Sequence, residues 1–426
     1  MQSFSGSKKK GMNKIKTSRL RSKSNVAGSK SSYDSSLSRT IFLLFIVWRL
    51  LDFSVIYLAP FFISYLGFFP YKEVLLDFNL PHWLNSLANF DGIHYLLIAL
   101  QGYSQWEQAF FPLYPLLIKL LTFVINNGLI VGLLISNVAF LIGLFIFSRL
   151  IDKKHVFWFL AFIFVFPTSF FFGAIYTEGL FFLLFVSTLY FLKKQKYLLT
   201  SLVVILASLT RLVGVFLIIP IFFHWIKKRS FSASWRIRMT WGGLATIAAP
   251  LVGLGIYCIY LFKTTGDPFF FLTSQPIFGA NRSTSLIFLP QVVWRYIKIF
   301  ITAAHNFQYF ISILEFSIFM MVFTVVILSL AKNLAKRKYG LRPRSFGLRP
   351  QDDMRLGLDL FSLANILLPT LTGTFSSVPR YALFSLSFFL YLAEIGNIWA
   401  KMIIALVFLI LHVVLLGLFS QGYFIS

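Results

Sequence analysis

Three side chains able to move or attract a proton stand close together in one stretch of the chain. The stretch reads Asn89-Phe-Asp-Gly-Ile-His-Tyr, then Gly102-Tyr103, Glu107 and Ala109-Phe-Phe-Pro-Leu-Tyr-Pro115. A carboxylate such as Asp91 suits removal of a hydroxyl proton, and an imidazole such as His94 suits proton shuttling or metal ligation. Glu107 suits ordering of the loop or pairing with an arginine. The plainer alternatives are a turn aspartate before Gly92, an interfacial hydrogen-bonded histidine and a solvated loop glutamate. Carboxylates next to a bilayer cost free energy unless they are hydrated, paired or used. The stretch is therefore where chemistry is expected.

Four further residues extend that candidate site. Glu178 follows Tyr176-Thr177, Arg211 sits in Leu209-Thr-Arg-Leu212, and Arg380 and Tyr381 close Ser377-Val-Pro-Arg-Tyr381. An arginine fork makes bidentate, charge-assisted bonds to a phosphate. Arg380 and Arg211 are accordingly read as phosphate-binding. Glu178 is also explained as an anion at a helix start. Arg49 and Asp52 stand three apart in the first apolar run and are expected to pair with each other.

The elements that must position these residues are membrane helices. The chain has 426 residues, of which 58% are hydrophobic and only 12% charged, with a mean hydropathy of +0.79. A soluble domain is about 25% charged. The reading is an all-α, polytopic membrane protein. The net charge of +25 first suggests nucleic acid, but the basic residues fall in a tail and in short loops between apolar runs. The positive-inside rule explains that pattern better, and no nucleic-acid partner is expected. The single cysteine, Cys258, makes no intramolecular disulfide and no cysteine metal site.

Residues 1–39 read as a disordered basic cytoplasmic tail, and 40–426 as the membrane domain. The first apolar run reads as an uncleaved signal anchor. Apolar runs follow at 41–66, 128–149, 155–172, 176–192, 197–210, 211–226, 240–262, 309–331, 356–373, 380–394 and 400–420. They predict about eleven spans. Basic clusters at 149–154, 193–196, 227–238 and 332–355 belong inside, which puts the N-terminus in the cytoplasm and the C-terminus outside. That sidedness requires 113–126 to lie in the outer interface without crossing. Two long outer loops result, 67–127 and 263–308, and 332–355 is a cytoplasmic linker with two Gly-Leu-Arg-Pro repeats. In the second loop Arg295, Lys298, Thr302 and His305 make one polar face of an interfacial helix. Asn281-Arg-Ser matches a glycosylation sequon that is frequent by chance.

Phe90-Asp-Gly-Ile-His-Tyr95, followed by Ile98-Ala, Gly102-Tyr, Glu107 and Ala109-Phe-Phe-Pro, resembles the first-loop signature of the GPI mannosyltransferase 2 (PIG-V-like) family. That family has Trp-Asp-Ala where this chain has Phe90-Asp-Gly92. Tyr176-Thr-Glu-Gly-Leu-Phe181, Leu209-Thr-Arg211 and Pro379-Arg-Tyr381 are similar to later landmarks in the same order. The resemblance implies a GT-C glycosyltransferase of the bacterial type. Its donor would be a polyprenyl-phosphate sugar, typically dolichyl-phosphate mannose, and its acceptor a glycolipid or other membrane-associated molecule.

On that implication Asp91 is the general base, Arg380 and Arg211 hold the donor phosphate, and His94, Glu107, Glu178 and Tyr381 are further site residues. No cofactor is required, and a divalent cation bridging Asp91 and the phosphate is compatible with the residues. The enzyme would sit in a bacterial cell membrane, or in the endoplasmic reticulum of a eukaryote, with its site on the outer or lumenal face. The rival readings are a polytopic transporter and a non-catalytic lipid-binding subunit of a glycan assembly complex.

Overall fold

The computed structural model describes residues 35–66, 72–229, 241–278, 282–339 and 351–425. The chain divides into two units, 1–48 and 49–426. The described part of the first unit, 35–48, is helical, and within it the Phe45 and Trp48 rings lie 5.7 Å apart. Most of the basic tail, the 227–238 cluster beyond 229, Asn281 and both Gly-Leu-Arg-Pro repeats lie outside the described residues. Helix begins at Ser35, so the end of the expected tail is already ordered.

Among the described residues all regular structure is helical. Helix α1 spans Ser35–Phe62. The longer helices that follow are α2 Asp91–Gln101, α3 Leu113–Thr122, α4 Gly128–Ser148, α5 Lys153–Val165, α6 Glu178–Lys193 and α7 Tyr197–Thr210. Then come α8 Ile218–Arg229, α9 Trp241–Thr265, α10 Leu289–Thr302, α11 Phe307–Tyr339 and α12 Gln351–Thr370. The short α13 Val378–Ala382 precedes α14 Leu386–Ala393 and α15 Ile398–Ser420. Asparagine caps start two of the most apolar helices. Asn127 Oδ1 accepts from the Leu129 and Ile130 amides at 3.1 Å each, and Asn397 Oδ1 accepts from the Trp399 and Ala400 amides at 2.9 and 3.3 Å.

Five helices are long and apolar enough to cross a membrane: Ser35–Phe62, Gly128–Ser148, Gly242–Thr265, Phe307–Ala335 and Ile398–Ser420. Several of the remaining apolar runs form shorter or broken helices, each for a local reason. The run at 155–172 stops as a helix at Val165, because Pro167 disfavours helical backbone at Phe166, and a tight turn Ser169–Phe172 follows. The run at 380–394 is split into α13 and α14. There Asn365 Nδ2 donates to the Tyr381 carbonyl at 2.6 Å, and Ser385 bonds back to Ala382. The run at 176–192 is α6, most of whose side chains are buried against protein. Its apolar side chains therefore meet other helices more than open surface.

Close packing of α6 on α4 sets the frame of the site. A Cβ on Gly179 would stand 2.3 Å from the Ser136 carbonyl oxygen, and one on Gly143 would stand 2.6 Å from the Phe182 ring. Small residues at such points let helix backbones approach. Aromatic rings fill the space beside them, with Phe140 stacked on Phe172 at 4.1 Å. The first long loop carries α2 and α3, and the second carries α10. On α10, Lys298 and Thr302 are exposed, as is His305 beyond its end, but Arg295 turns inward and donates to the Gly373 carbonyl at 3.2 Å. The expected polar face thus loses its first member to a backbone acceptor.

Candidate functional site

Asp91 and Arg380 are 289 positions apart in sequence, and their side chains meet. Arg380 Nη1 donates to Asp91 Oδ2 at 2.6 Å. Behind the pair, Glu178 Oε1 lies 3.5 Å from Arg380 Nε and accepts from Arg211 Nη1 at 2.5 Å. Arg211 also donates to Thr177 Oγ1 at 2.9 Å. The result is a chain of alternating charge, Asp91, Arg380, Glu178, Arg211. Glu178 is fully buried, whereas the Asp91 side chain keeps 22% of its surface exposed, so Asp91 is the open end. Aromatic faces flank the guanidiniums. Arg380 lies 5.3 Å from the Phe171 ring and 5.2 Å from that of Tyr176, and Arg211 lies 5.2 Å from Tyr381 and 5.3 Å from Phe384.

Hydrogen bonds between distant segments hold this alignment. The Ile175 amide donates to the Leu87 carbonyl at 3.0 Å, and Tyr176 OH donates to the Asn89 carbonyl at 2.8 Å. Asn89 Nδ2 in turn donates to the Phe419 carbonyl of α15 at 2.9 Å. A Cβ on Gly92 would stand 3.2 Å from the Ile175 oxygen, so the start of α2 lies almost on the strand of chain that leads into Glu178. Thr168 Oγ1 donates to the Pro379 carbonyl at 2.8 Å and fixes α13, which carries Arg380.

Backbone strain gathers at the same points. Phe90, Trp106 and Ser377 have φ of 59°, 75° and 69°, and each directly precedes or begins the turn that presents Asp91, Glu107 or Arg380. Such conformations cost about 1–3 kcal/mol each in a residue other than glycine. Each is clamped by a contact. Phe90 packs on Phe419 and Phe424 at 5.7 and 5.2 Å, Trp106 stacks on Phe270 at 5.4 Å, and Ser377 Oγ accepts from Arg282 at 2.8 Å.

His94 and Glu107 form a separate pair one turn along α2. Their Nδ1 and Oε1 atoms are 3.1 Å apart, and Glu107 Oε2 accepts from the Ser104 amide at 2.9 Å. The His94 ring stacks on Phe110 at 5.0 Å. Glu107 is buried and orders the loop. Tyr381 contributes its ring to Arg211. Of the residues expected from sequence, Asp91, Arg380, Glu178, Arg211 and Tyr381 are thus in mutual contact, and His94 with Glu107 stands beside them.

One member of the cluster carried no signal in the sequence. Arg282 donates from Nη1 to Gln275 Oε1 at 3.0 Å and from Nη2 to Ser377 Oγ at 2.8 Å. Burial lowers its pKa, against the opposing pull of Tyr381 and Asp91. At Asp91 burial acts to raise the pKa, but the Arg380 charge and hydrogen bond, with Arg282 and His94, outweigh it and hold the carboxyl below its usual range.

The donor set does not favour a divalent ion at Asp91. The carboxylate is already engaged by a guanidinium, and its other charged neighbours are Arg282 and His94. Among the described residues no group of three His, Cys, Asp or Glu side chains is placed to hold a metal.

A second buried polar cluster lies away from this site. Arg49 Nη1 donates to Asp52 Oδ2 at 2.7 Å, as the spacing predicts, and His412 Nε2 stands 2.8 Å from Asp52 Oδ1. His412 Nδ1 is 3.1 Å from Ser169 Oγ. The cluster links α1, α15 and the turn after α5.

No family model, curated protein or solved structure matches the chain.

Proposed function

We propose that the chain is a membrane-embedded glycosyltransferase of the GT-C, mannosyltransferase-like kind. It would move a sugar from a polyprenyl phosphate to a membrane-associated acceptor. The observation that carries this reading is the Asp91–Arg380 pair at the open end of a buried ionic chain. Here a general base and an anion-binding fork stand side by side, as a displacement at a sugar phosphate requires.

In the proposed reaction Asp91 takes the proton of the acceptor hydroxyl. The acceptor oxygen forms a bond to the anomeric carbon as the carbon–oxygen bond to phosphate breaks. Polyprenyl phosphate leaves with that electron pair, and the anomeric configuration inverts. Resting Asp91 is charged but weakly basic, because Arg380 holds its carboxyl low. An arriving phosphate competes for the Arg380 fork, and each bond it gains there loosens the hold on Asp91. The base strengthens as the donor docks. Glu178 and Arg211 keep Arg380 aligned through the exchange.

This reading carries with it the finer membrane arrangement of about eleven spans, with the shorter apolar helices joining the five long ones. The site then faces the outer or lumenal side, with the N-terminus in the cytoplasm. The direct test is purified protein with polyprenyl-phosphate mannose and a membrane lipid extract, analysed by mass spectrometry. A hexose-shifted lipid is expected. An unaltered donor with every acceptor fraction tried would sink the reading.

A transporter is the second reading, and one observation favours it. Asp52 and His412 are wholly buried in two helices able to span a membrane, and ionisable groups in such places often carry ions or protons. Asp52→Asn decides between them. Full transfer activity in a destabilised variant supports a structural cluster, whereas lost proton-coupled uptake in vesicles would favour transport.

A further inference from the structure

Among the described residues the site contains three guanidiniums, and two of them are held by carboxylates. Arg380 has Asp91 and Arg211 has Glu178. Arg282 is bonded to two neutral oxygens, those of Gln275 and Ser377. Two of the five N–H groups of a guanidinium are thus used, and three remain. Among the described residues no carboxylate lies within ion-pair distance of it. The nearest acids whose charge it feels are Asp91, already taken by Arg380, and Glu315, which accepts from Tyr296 OH at 2.7 Å. A half-buried cation without a counter-ion is costly, and an incoming anion relieves that cost.

Its tethers also fix its place. Ser377 directly precedes α13, three residues before Arg380, so the Arg282–Ser377 bond holds the second loop against the element that carries the Asp91 partner. Gln275 lies in the short turn Gln275–Phe278 of the same loop. The guanidinium is thereby carried by a loop and pinned at the mouth of the ionic chain.

We propose that Arg282 is the docking residue for a lipid-borne phosphate, which it binds before Arg380 exchanges Asp91 for the same group. The inference rests on the glycosyltransferase reading and adds the residue that first receives the donor. Arg282 makes no bond to the reacting carbon and is a binding residue.

The test uses the full chain in detergent, with binding of undecaprenyl monophosphate, undecaprenol and phosphatidylglycerol followed by native mass spectrometry. Arg282→Gln should weaken the monophosphate at least about tenfold, the scale of a lost charged hydrogen bond, and leave undecaprenol unchanged. Arg282→Lys keeps the charge without the fork and should fall between the two. If Arg282→Gln does not fold, the lysine variant alone still decides, since unchanged monophosphate binding in it overturns the fork. Unchanged binding in Arg282→Gln overturns the proposal outright. Equal losses for phosphatidylglycerol would place bulk lipid headgroups at Arg282 and overturn its assignment to the donor. If the wild type binds no polyprenyl phosphate and transfers no sugar, the glycosyltransferase reading fails. If the wild type does both and the variants match it, only the docking role of Arg282 fails.

Discussion

An aspartate bonded to an arginine is charged at neutral pH yet a poor base, so the value of Asp91 depends on what its partner is doing. Asp91→Asn keeps the shape and a hydrogen bond to Arg380 but accepts no proton. Transfer should fall by about 100-fold or more, the range of a positioned acid–base group, while folded protein persists. Near-normal initial rates would remove Asp91 as the base. Glu107→Gln is the matched control and should be milder, because Glu107 bonds His94 and the Ser104 amide and not Arg380. The pH dependence has a definite sign. The folded pKa of Asp91 lies below the ordinary 3.8, so the ion pair stabilises fully above that value and is lost as pH falls through the lower one. Thermal unfolding of wild type and Asp91→Asn should differ by a constant amount at neutral pH and converge only below 3.8. Convergence at higher pH would mean that the pair does not hold the carboxyl down. Glu178→Gln should be the most damaging single change. It strips the shared counter-charge from two buried arginines, and losing one partner of a buried pair costs about 3–5 kcal/mol. Its unfolding temperature should drop well below that of Asp91→Asn, and an equal stability would show that Glu178 is dispensable to the network.

At the scale of elements, the close approach of α4 and α6 governs where Glu178 sits. Gly179→Val adds a side chain 2.3 Å from a backbone oxygen that no rotamer can avoid. The helices must part, at a cost of about 1–3 kcal/mol or more, and Glu178 moves with its helix. Both stability and transfer should fall, and retention of either would contradict the packing. The elements were legible in the sequence to different depths. Helix as the only regular structure among the described residues followed from the length and apolarity of the runs, and Arg211 does fall at the turn after α7. Hydropathy cannot separate a helix buried in protein from one facing lipid, which is why the burial of α6 could not be read from its run. Nor does it register a tertiary bond such as Asn365 to the Tyr381 carbonyl, which divides the run at 380–394. Local spacing did reveal Arg49 with Asp52, since three residues are one helical turn. It had no means to reveal that Arg380 seeks Asp91, or that Arg282 joins them from a loop.

For the whole molecule the expectation is sidedness. The first loop should face away from the cytoplasm, and the end of α11 should face into it. With Cys258 replaced, Ser104→Cys and Ala335→Cys are both at exposed positions and should report opposite faces. An impermeant thiol reagent on intact cells should label the first and spare the second. Labelling of both from outside would overturn the arrangement.

The bond from Asn89 to the Phe419 carbonyl has a consequence in time. A ribosome makes Asp91 early, and its platform and its partner arrive only when Arg380 and then Phe419 have emerged. Until then the carboxylate waits without its counter-charge while the intervening helices are made. A chain that stops short of Arg380 would keep most of its apolar mass and lose the partner of Asp91. Helix α15 is thus a latch on one of the first loops, and the Asp91–Arg380 pair gains its full support only after α15 has been made.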